Sequence, residues 1–188
     1  MSAVSGGGGM GVHQDSQQER SLLLRDADTD DLAWVVDAHR AIYVDGLGWP
    51  EAFVPVVEGL MAAIAPRLLA GKGDPARRER AWIAEVGGER AGAIFLVAHD
   101  HDPTAAKLRM LVVTEGARGY GVGSALVAAV VAFAREAGYS RIELWTEDSL
   151  VAARRLYMRA GFHIVATAPS DVVLGNIAET WNLDLSEP

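Results

Sequence analysis

Residues 110–124 read MLVVTEGARGYGVGS, and this stretch gives the strongest indication of the fold in the 188-residue chain. Four apolar residues, Met110 to Val113, precede a glycine-rich turn. An apolar run without polar alternation is typical of a central strand that is buried on both faces. The turn is followed by apolar residues at helical spacing, Val122, Leu126, Val130 and Phe133. The stretch therefore predicts a buried strand, a glycine turn and a helix in direct succession.

The glycine turn has the chemistry of a phosphate site. The first amide groups of a helix lack partners within the helix, and the helix dipole favours an anion beside them. Glycines such as Gly119 and Gly121 let a phosphate approach the backbone closely. Arg118 adds a planar cation with several donors. We therefore expect a phosphate or pyrophosphate to bind at this turn.

The spacing of residues in the glycine turn excludes one kind of phosphate site and leaves two interpretations of the turn open. A P-loop requires a Lys in the turn, and this turn has none. A dinucleotide fingerprint would place Ser124 at its third glycine and would use Glu143, which falls inside a strand rather than at its end. A nicotinamide dinucleotide site and a turn with only a structural role stay open at this point.

Hydropathy and turn signals on both sides of this stretch predict an α/β chain with the order βααβββαβαββ and a mixed sheet. Residues 1–20 are rich in Gly, Ser and Gln and are expected to form a disordered tail. Residues 21–188 are expected to form a single domain, as the length suggests. Pro55 and Pro66 argue against one unbroken helix between Pro50 and Gly71.

Composition narrows the class of protein. Half of the residues are apolar, which suffices for a full core. The net charge of −8 argues against a nucleic-acid binder, which needs a basic face. The absence of Cys excludes a disulfide scaffold, a thiolate metal site and a Cys nucleophile, and it fits a reducing cytoplasm. Neither a signal peptide nor a membrane-spanning apolar run is expected.

A second motif follows the next strand. Residues 152–162 read AARRLYMRAGF, and Leu150, Ala153 and Tyr157 share one helical face. Small Ala153 leaves room for a ligand beside the Tyr157 hydroxyl. Together, Arg118-x-x-Gly121-x-Gly123 and Leu156-Tyr157-x-x-x-Gly161-Phe162, separated by a helix and a strand, resemble the GNAT superfamily of N-acetyltransferases over residues 21–186.

The resemblance implies a GNAT fold: a central mixed, mostly antiparallel sheet of about seven strands, flanked by about four helices, whose splayed central strands hold acetyl-CoA. It implies direct attack of an amine on the thioester without a metal. Tyr157 matches the general acid that protonates the leaving thiolate of CoA. The implied cofactor-binding residues are Leu111, Val112 and Val113 for the pantetheine arm and Arg118, Gly119, Tyr120, Gly121, Val122, Gly123 and Ser124 for the pyrophosphate, with Ala153 on the later helix.

The sequence offers several candidates for the base that deprotonates the acceptor. Glu143 alternates with apolar Ile142 and Leu144, so we expect it to face the cleft as the catalytic base. A relay through water is an equal alternative. Many family members carry Asn seven residues before the Tyr, where this chain has Leu150, so that contact is expected to be either absent or replaced by Asp148 or Ser149. The carboxylates and the histidine near strand ends that could also serve are Glu85, Glu115, Glu147 and His99.

The segment before the second helix combines aromatic and acidic residues. Tyr43, Trp49 and Phe53 are expected to line the acceptor site, because aromatic rings and carboxylates attract a cationic amine. Trp49 and Phe53 could equally be anchors for helix packing. The chain also resembles bacterial GNAT domains related to MarR-type regulators, which share Gly48-Trp49, Leu144-Trp145-Thr146 and the ending Glu179-Thr180-Trp181.

The sequence thus predicts a cytoplasmic, bacterial acetyl-CoA-dependent N-acetyltransferase acting on a small-molecule or protein amine. The expected assembly is a homodimer, and neither nucleic acid nor a membrane is expected as a partner. The alternative is an acyl-CoA-binding sensor or scaffold that has a GNAT fold but no turnover.

Overall fold

The computed structural model describes residues 21–185, so the predicted disorder of residues 1–20 lies outside the described part of the chain. The strands and helices follow the predicted order. Their bounds are β1 Leu22–Asp26, α1 Thr29–His39, α2 Phe53–Ala70, β2 Arg80–Val86, β3 Glu89–Ala98, β4 Ala105–Val113, α3 Val122–Glu136, β5 Arg141–Glu147, α4 Val151–Arg159, β6 His163–Pro169 and β7 Ile177–Asp184.

The strands form one seven-stranded sheet in the order β1-β2-β3-β4-β5-β7-β6. Only the β4–β5 pair is parallel, because α3 crosses over between these two strands. The remaining pairs are antiparallel, and Gly87 and Gly88 close the β2–β3 hairpin at positive φ, as predicted. The predicted mixed, mostly antiparallel sheet of about seven strands and four helices is confirmed.

Helices cover both faces of the sheet and create two apolar cores. The α3–α4 core contains Leu126 and Tyr157 from the helices and Leu108 and Leu144 from the strands. The α1–α2 core contains Val35 and Phe53 from the helices and Phe95, Met110 and Val112 from the strands. The central strands contribute to both cores, as expected for strands buried on two faces.

A bulge in β4 changes which residues face each core. Ala93 and Phe95 of β3 pair with Val112 and Arg109, so β4 carries an extra residue there. Met110 adopts φ of 57°, a left-handed conformation that is uncommon for a residue with a side chain. The bulge places Leu108 and Leu111 against the α3–α4 core, and Met110 against the other core. The apolar pattern alone does not predict this bulge.

The region between α1 and α2 differs from the prediction in its winding. The first helix does reach Gly46 as expected, but residues Arg40–Gly46 have π-helical hydrogen bonding. The second helix is unbroken from Phe53 to Ala70, although it contains Pro66. The helix predicted between Pro50 and Gly71 is therefore confirmed, and the prolines that argued against its continuity do not break it, because the tertiary packing of Val57, Met61 and Ile64 outweighs one lost hydrogen bond.

Helix α2 is long and apolar enough, by length and composition, to cross a membrane, with mean hydropathy 1.6 over its 18 residues. In this fold its buried side packs into the α1–α2 core through Phe53, Val57, Met61 and Leu68. The apolar composition is thus accounted for by core packing on that side.

A glycine in β3 is required by close packing. A Cβ at Gly92 would lie 2.8 Å from the Val112 carbonyl oxygen, 3.0 Å from Val122 Cγ1 and 3.1 Å from Leu126 Cδ1. We expect Gly92→Ala to lower the free energy of unfolding by about 1–3 kcal/mol, since overpacked cores cost that much. Urea denaturation measures it. The matched control is Gly59→Ala in α2, where a Cβ meets no atom within 4 Å, and a stabilisation of about 0.5–1 kcal/mol is expected. Unchanged stability of Gly92→Ala would contradict the packing.

A buried histidine in α1 gives the fold a pH dependence. His39 is 5% exposed, and its Nδ1 donates a hydrogen bond to the Val35 carbonyl (2.7 Å). Burial lowers the pKa of His39 to about 4, against the smaller opposing effect of that hydrogen bond. The unfolded chain, with an ordinary pKa of 6.5, therefore binds more protons below pH 6.5, so stability falls as the pH decreases from 6.5 towards 4.

We expect the folded chain to lose about 2 kcal/mol between pH 7.5 and 5 through His39 alone. Urea denaturation at the two pH values measures this loss. His39→Gln should be less stable at pH 7.5 but should lose less stability on acidification. His163→Gln, on the exposed strand β6, should keep the pH dependence of the unaltered chain. An unchanged pH dependence in His39→Gln would show that another group is responsible.

Candidate active site

The central strands part in the middle of the sheet. Strands β4 and β5 pair only at Ala105–Lys107 with Arg141–Glu143. Beyond these three pairs, the β4 residues up to Val113 and the β5 residues up to Glu147 are not bonded to each other. Because β4 still pairs with β3 and β5 still pairs with β7, the gap is a wedge open at the carboxyl ends of the two strands. This confirms the predicted splay.

Leu111, Val112 and Val113 lie on the β4 side of this wedge. Val112 and Val113 pair with Ala93 and Gly92 of β3. The opposite edge of β4 at these residues is not paired with β5 and therefore borders the wedge. An open strand edge presents N–H and C=O groups to an extended, amide-bearing ligand. The predicted pantetheine-binding residues are therefore placed where such a ligand can add to the edge.

The glycine turn stands at the open end of β4. Gly119 and Gly121 adopt φ of 86° and 74°, and a Cβ at either would meet no atom within 4 Å. Gly121 precedes the first residue of α3, and the first intrahelical bond runs from the Ala125 amide to the Gly121 carbonyl (3.0 Å). The amides of Val122, Gly123 and Ser124 therefore lie at the exposed start of the helix. This cradle fits a pyrophosphate.

The remaining residues of the turn have different roles. Arg118 is exposed and lies 3.4 Å from Glu115, a weak contact that leaves its guanidinium accessible to an anion. Tyr120 is also exposed. Gly123 has a packing role, because its Cβ would lie 3.1 Å from Leu156 Cδ2 of α4. The third glycine thus permits α3 and α4 to approach each other.

Tyr157 lies on α4 and packs in the α3–α4 core. Its ring is 5% exposed and contacts Phe162 and Trp181, with ring centroids 5.9 and 6.3 Å away. Burial raises the pKa of Tyr157 well above its usual range, and the nearby Tyr43 raises it further. The phenol is therefore protonated at physiological pH, as a proton donor must be.

A groove of about 480 Å³ runs between α3 and α4. Ser124 stands at one end of its lining, and Leu156 and Ala160 of α4 form part of its wall. Ala153, predicted to leave room beside Tyr157, is partly buried against the α3–α4 core. The groove continues from the start of α3 along the two helices.

The predicted acceptor residues form an aromatic cluster. Tyr43 lies 4.8 Å from Trp49 and 5.2 Å from Phe53 between ring centroids. Trp49 and Phe53 are 7% and 9% exposed and pack in the α1–α2 core, as the packing alternative expects. Tyr43 keeps partial exposure, and burial raises the pKa of its hydroxyl to about 12. Tyr43 is therefore the member of the cluster that can contact an acceptor.

The structure separates the candidate bases. Glu85 is paired with Arg25 (2.7 Å) on the far side of the sheet, and Glu115 is exposed beside Arg118. Glu143 lies opposite Lys107, where β4 and β5 are still joined, and its Oε1 is 3.6 Å from His99 Nε2. Glu143 and His99 thus stand at the closed end of the wedge.

Leu150 and its neighbours join α4 to the β6–β7 loop. Leu150 packs against the α1–α2 core, as Val172 and Val173 of that loop do. Ser149 Oγ accepts a hydrogen bond from Asn176 Nδ2 (2.7 Å), and Asp148 Oδ1 accepts one from the Ile177 amide (3.0 Å). The residues predicted to replace the missing Asn are therefore engaged in holding the loop. No group of His, Cys, Asp and Glu suited to a metal ion occurs among residues 21–185.

The chain matches the model of the acetyltransferase (GNAT) family over residues 47–162. Two solved structures share its fold. The yncA protein from Salmonella typhimurium, solved with its cofactor acetyl-CoA, is 20% identical, with TM-score 0.69 over 89% of this chain and 96% of its own. A ribosomal-protein-alanine N-acetyltransferase from Brucella melitensis is 20% identical, with TM-score 0.69 over 87% and 98%.

Curated relatives match by sequence. N-acetyltransferase 8 of Rattus norvegicus is 32% identical over 108 residues, which are 56% of this chain and 46% of the relative. N-acetylaspartate synthetase of Homo sapiens is 35% identical over 94 residues, which are 50% of this chain and 31% of the relative. The chain therefore spans less than half the length of these two relatives.

Proposed function

Because this chain belongs to the acetyltransferase (GNAT) family, we propose that it transfers the acetyl group of acetyl-CoA to a primary amine by direct attack. The observation that carries the proposal is the wedge between β4 and β5, which opens beside the glycine turn. Acetyl-CoA is long and narrow. Its acetyl thioester is at one end, its pantetheine arm contains amides, and its pyrophosphate lies beyond that arm. The wedge, the open edge of β4 and the turn offer complementary groups in that order.

The residues of the turn would hold the pyrophosphate of acetyl-CoA. Amides at the start of α3 and the Arg118 guanidinium supply donors and positive charge, and positive φ at Gly119 and Gly121 keeps side chains out of the cradle. Tyr120 flanks the cradle. The edge of β4 at Leu111, Val112 and Val113 would bond the pantetheine amides, and Ala153 would leave room beside the thioester.

Tyr157 is proposed as the general acid. The group that leaves from acetyl-CoA is a thiolate anion, whose conjugate thiol has a pKa of about 8.5 in water. A buried site without a balancing cation disfavours this anion, so a proton donor assists its departure. The buried phenol stays protonated and can donate to the sulfur as the carbon–sulfur bond breaks. Tyr43, with Trp49 and Phe53 behind it, would form the aromatic wall that meets the amine.

A panel of primary amines tests this function. Amino acids, polyamines, aminoglycosides and a peptide with a free N-terminus are offered with acetyl-CoA, and release of the CoA thiol is measured. Turnover with one class supports the enzyme. Binding of acetyl-CoA without turnover of any class favours the acyl-CoA sensor instead.

The finer expectations from sequence stay predictions. These are a small-molecule or protein amine as the acceptor, a cytoplasmic and bacterial setting, the absence of nucleic-acid and membrane partners, and the resemblance to MarR-related GNAT domains. The homodimer also stays a prediction. Every residue of β6, from His163 to Pro169, is exposed, so this strand is the surface of the sheet that a second copy could cover.

A further inference from the structure

One carboxylate of the sheet is buried without a cation to balance it. Glu147, the last residue of β5, is 0% exposed. Its Oε1 accepts a hydrogen bond from the Ser170 hydroxyl (2.5 Å), whereas Oε2 has no hydrogen-bond partner among residues 21–185. Burying an unsatisfied carboxylate oxygen costs free energy, so Glu147 lowers rather than raises the stability of the fold.

Two other carboxylates, Asp31 and Glu179, are buried in the part of the chain that the structure describes, and both are compensated. Asp31 receives hydrogen bonds from Arg25 (2.6 Å) and Arg90 (2.7 Å). Glu179 receives them from Arg154 and from the Trp181 indole, each at 3.0 Å. Since this chain pairs its structural buried acids with arginine, the unpaired oxygen of Glu147 points to a partner that arrives from outside.

The position of Glu147 favours the acceptor amine as that partner. The residue ends β5 at the open side of the wedge, four residues beyond the last β5 residue that pairs with β4. Because side chains alternate along a strand, Glu147 lies on the other face of the sheet from Leu144 and Thr146, away from the α3–α4 core. Ser170, Val172 and Val173 of the β6–β7 loop lie on that side, and the two valines reach the same α1–α2 core as Tyr43.

The electrostatic surroundings suit a cation. Burial raises the pKa of Glu147, the Ser170 hydrogen bond opposes this, and the neighbouring Asp148 and Glu179 raise the pKa further. The nearby arginine, Arg154, is engaged by Glu179 (3.0 Å). An ammonium group would therefore be attracted by Glu147, which has the free oxygen, and by the neighbouring Asp148, whereas Arg154 balances the charge of Glu179. A carboxylate with a raised pKa is also a better proton acceptor.

We propose that Glu147 binds the ammonium group of the acceptor and removes its proton, an inference that rests on the proposed acetyl transfer. One proton passes from the ammonium to Glu147 and later to solvent. The freed nitrogen lone pair then forms the bond to the thioester carbonyl carbon, and the carbon–sulfur bond breaks with its electron pair on sulfur. Tyr157 protonates the sulfur, and the second proton lost by nitrogen restores the phenol. Ser170 holds the carboxylate in place.

Activity and affinity of Glu147→Gln test this role. We expect kcat/KM for the amine to fall by about 100-fold or more, as loss of a general base does. Acetyl-CoA affinity, measured by calorimetry, should stay within about twofold, because the pyrophosphate cradle is untouched. The matched control is Glu136→Gln at the exposed end of α3, which should leave both quantities unchanged. The same measurements on Glu143→Gln test the alternative that Glu143, the base expected from the sequence, removes the proton.

The pH profile separates a base from a merely structural residue. In the unaltered protein, kcat/KM should rise with pH as Glu147 loses its proton. Glu147→Gln should lack this rise and should recover activity only where the free amine itself becomes deprotonated. Glu147→Asp should keep the shape of the profile at reduced activity. A full loss in Glu143→Gln with normal activity in Glu147→Gln would overturn the assignment.

A binding measurement by NMR tests the role of Glu147 without turnover, so it does not require the natural acceptor. With glutamate carboxyl carbons labelled by ¹³C, the Glu147 signal is the one missing in Glu147→Gln. In the presence of CoA, which has no acetyl group to transfer, n-butylammonium should shift this signal, whereas n-butanol should not. No shift would overturn the inference while leaving acetyl-CoA binding intact. Failure of the unaltered protein to bind acetyl-CoA would instead overturn the proposed function.

Discussion

Replacing Tyr157 by Phe should lower kcat for amine acetylation by about 100-fold or more and leave acetyl-CoA binding unchanged, because only the proton donor is lost. The ring stays in place between Phe162 and Trp181, so the core keeps its packing. Thiol release under saturating amine and acetyl-CoA measures kcat, and calorimetry measures cofactor affinity.

The same buried core provides a matched control. Tyr139 is 4% exposed, belongs to the α3–α4 core and donates its hydroxyl to the Arg78 carbonyl (3.0 Å). Tyr139→Phe removes a buried hydroxyl far from the wedge, so it should cost some stability and no activity. Normal turnover in Tyr157→Phe would remove the phenol from the mechanism and leave solvent as the proton source.

Replacing Gly121 by Leu should weaken acetyl-CoA binding by about 100-fold or more, because a side chain would stand in the cradle meant for the pyrophosphate. The φ of 74° at Gly121 adds backbone strain of about 1–2 kcal/mol for any residue with a Cβ. Calorimetric titration of acetyl-CoA measures the loss of affinity.

Gly138→Leu separates strain from blocked binding. Gly138 lies beyond the other end of α3, has φ of 75° and, like Gly121, has no atom within 4 Å of an added Cβ. The two variants should therefore lose similar stability, but only Gly121→Leu should lose acetyl-CoA affinity. Equal affinities in the two variants would place the pyrophosphate elsewhere.

The fold was predictable where local signals are strong. The apolar strand at Met110–Val113 and the periodic segments around it predicted the order of elements. Gly87-Gly88 and Gly161 ended elements where glycine frees the backbone. These features depend on neighbours in sequence, so periodicity and turn chemistry suffice to find them. The splay of the central strands was implied only by the family resemblance that the glycine turn and the Leu156–Phe162 motif carry.

Features that depend on tertiary contact were not predictable in the same way. The bulge at Met110 follows from how β4 fits between β3 and the wedge, and the need for Gly92 follows from the approach of α3. Pro66 is tolerated because α2 is held by its buried side. Local propensity cannot report any of these, since packing overrides it.

The candidate site shows the same division. The resemblance carried by the motifs proposed Tyr157 and the glycine turn as site residues, and these stay predictions. Sequence alternation favoured Glu143, which lies between apolar Ile142 and Leu144, over Glu147, which lies between Thr146 and Asp148. Only the end of β4–β5 pairing at Glu143, together with the loop contact from Ser170, distinguishes the closed and open ends of the wedge.

Calorimetric titration of acetyl-CoA into the purified protein is the most direct test of the proposed cofactor site. We expect saturable binding of one acetyl-CoA per chain, with binding lost in Gly121→Leu and retained in Tyr157→Phe. An absence of binding at millimolar acetyl-CoA would contradict both the pyrophosphate cradle and the proposed acetyl transfer.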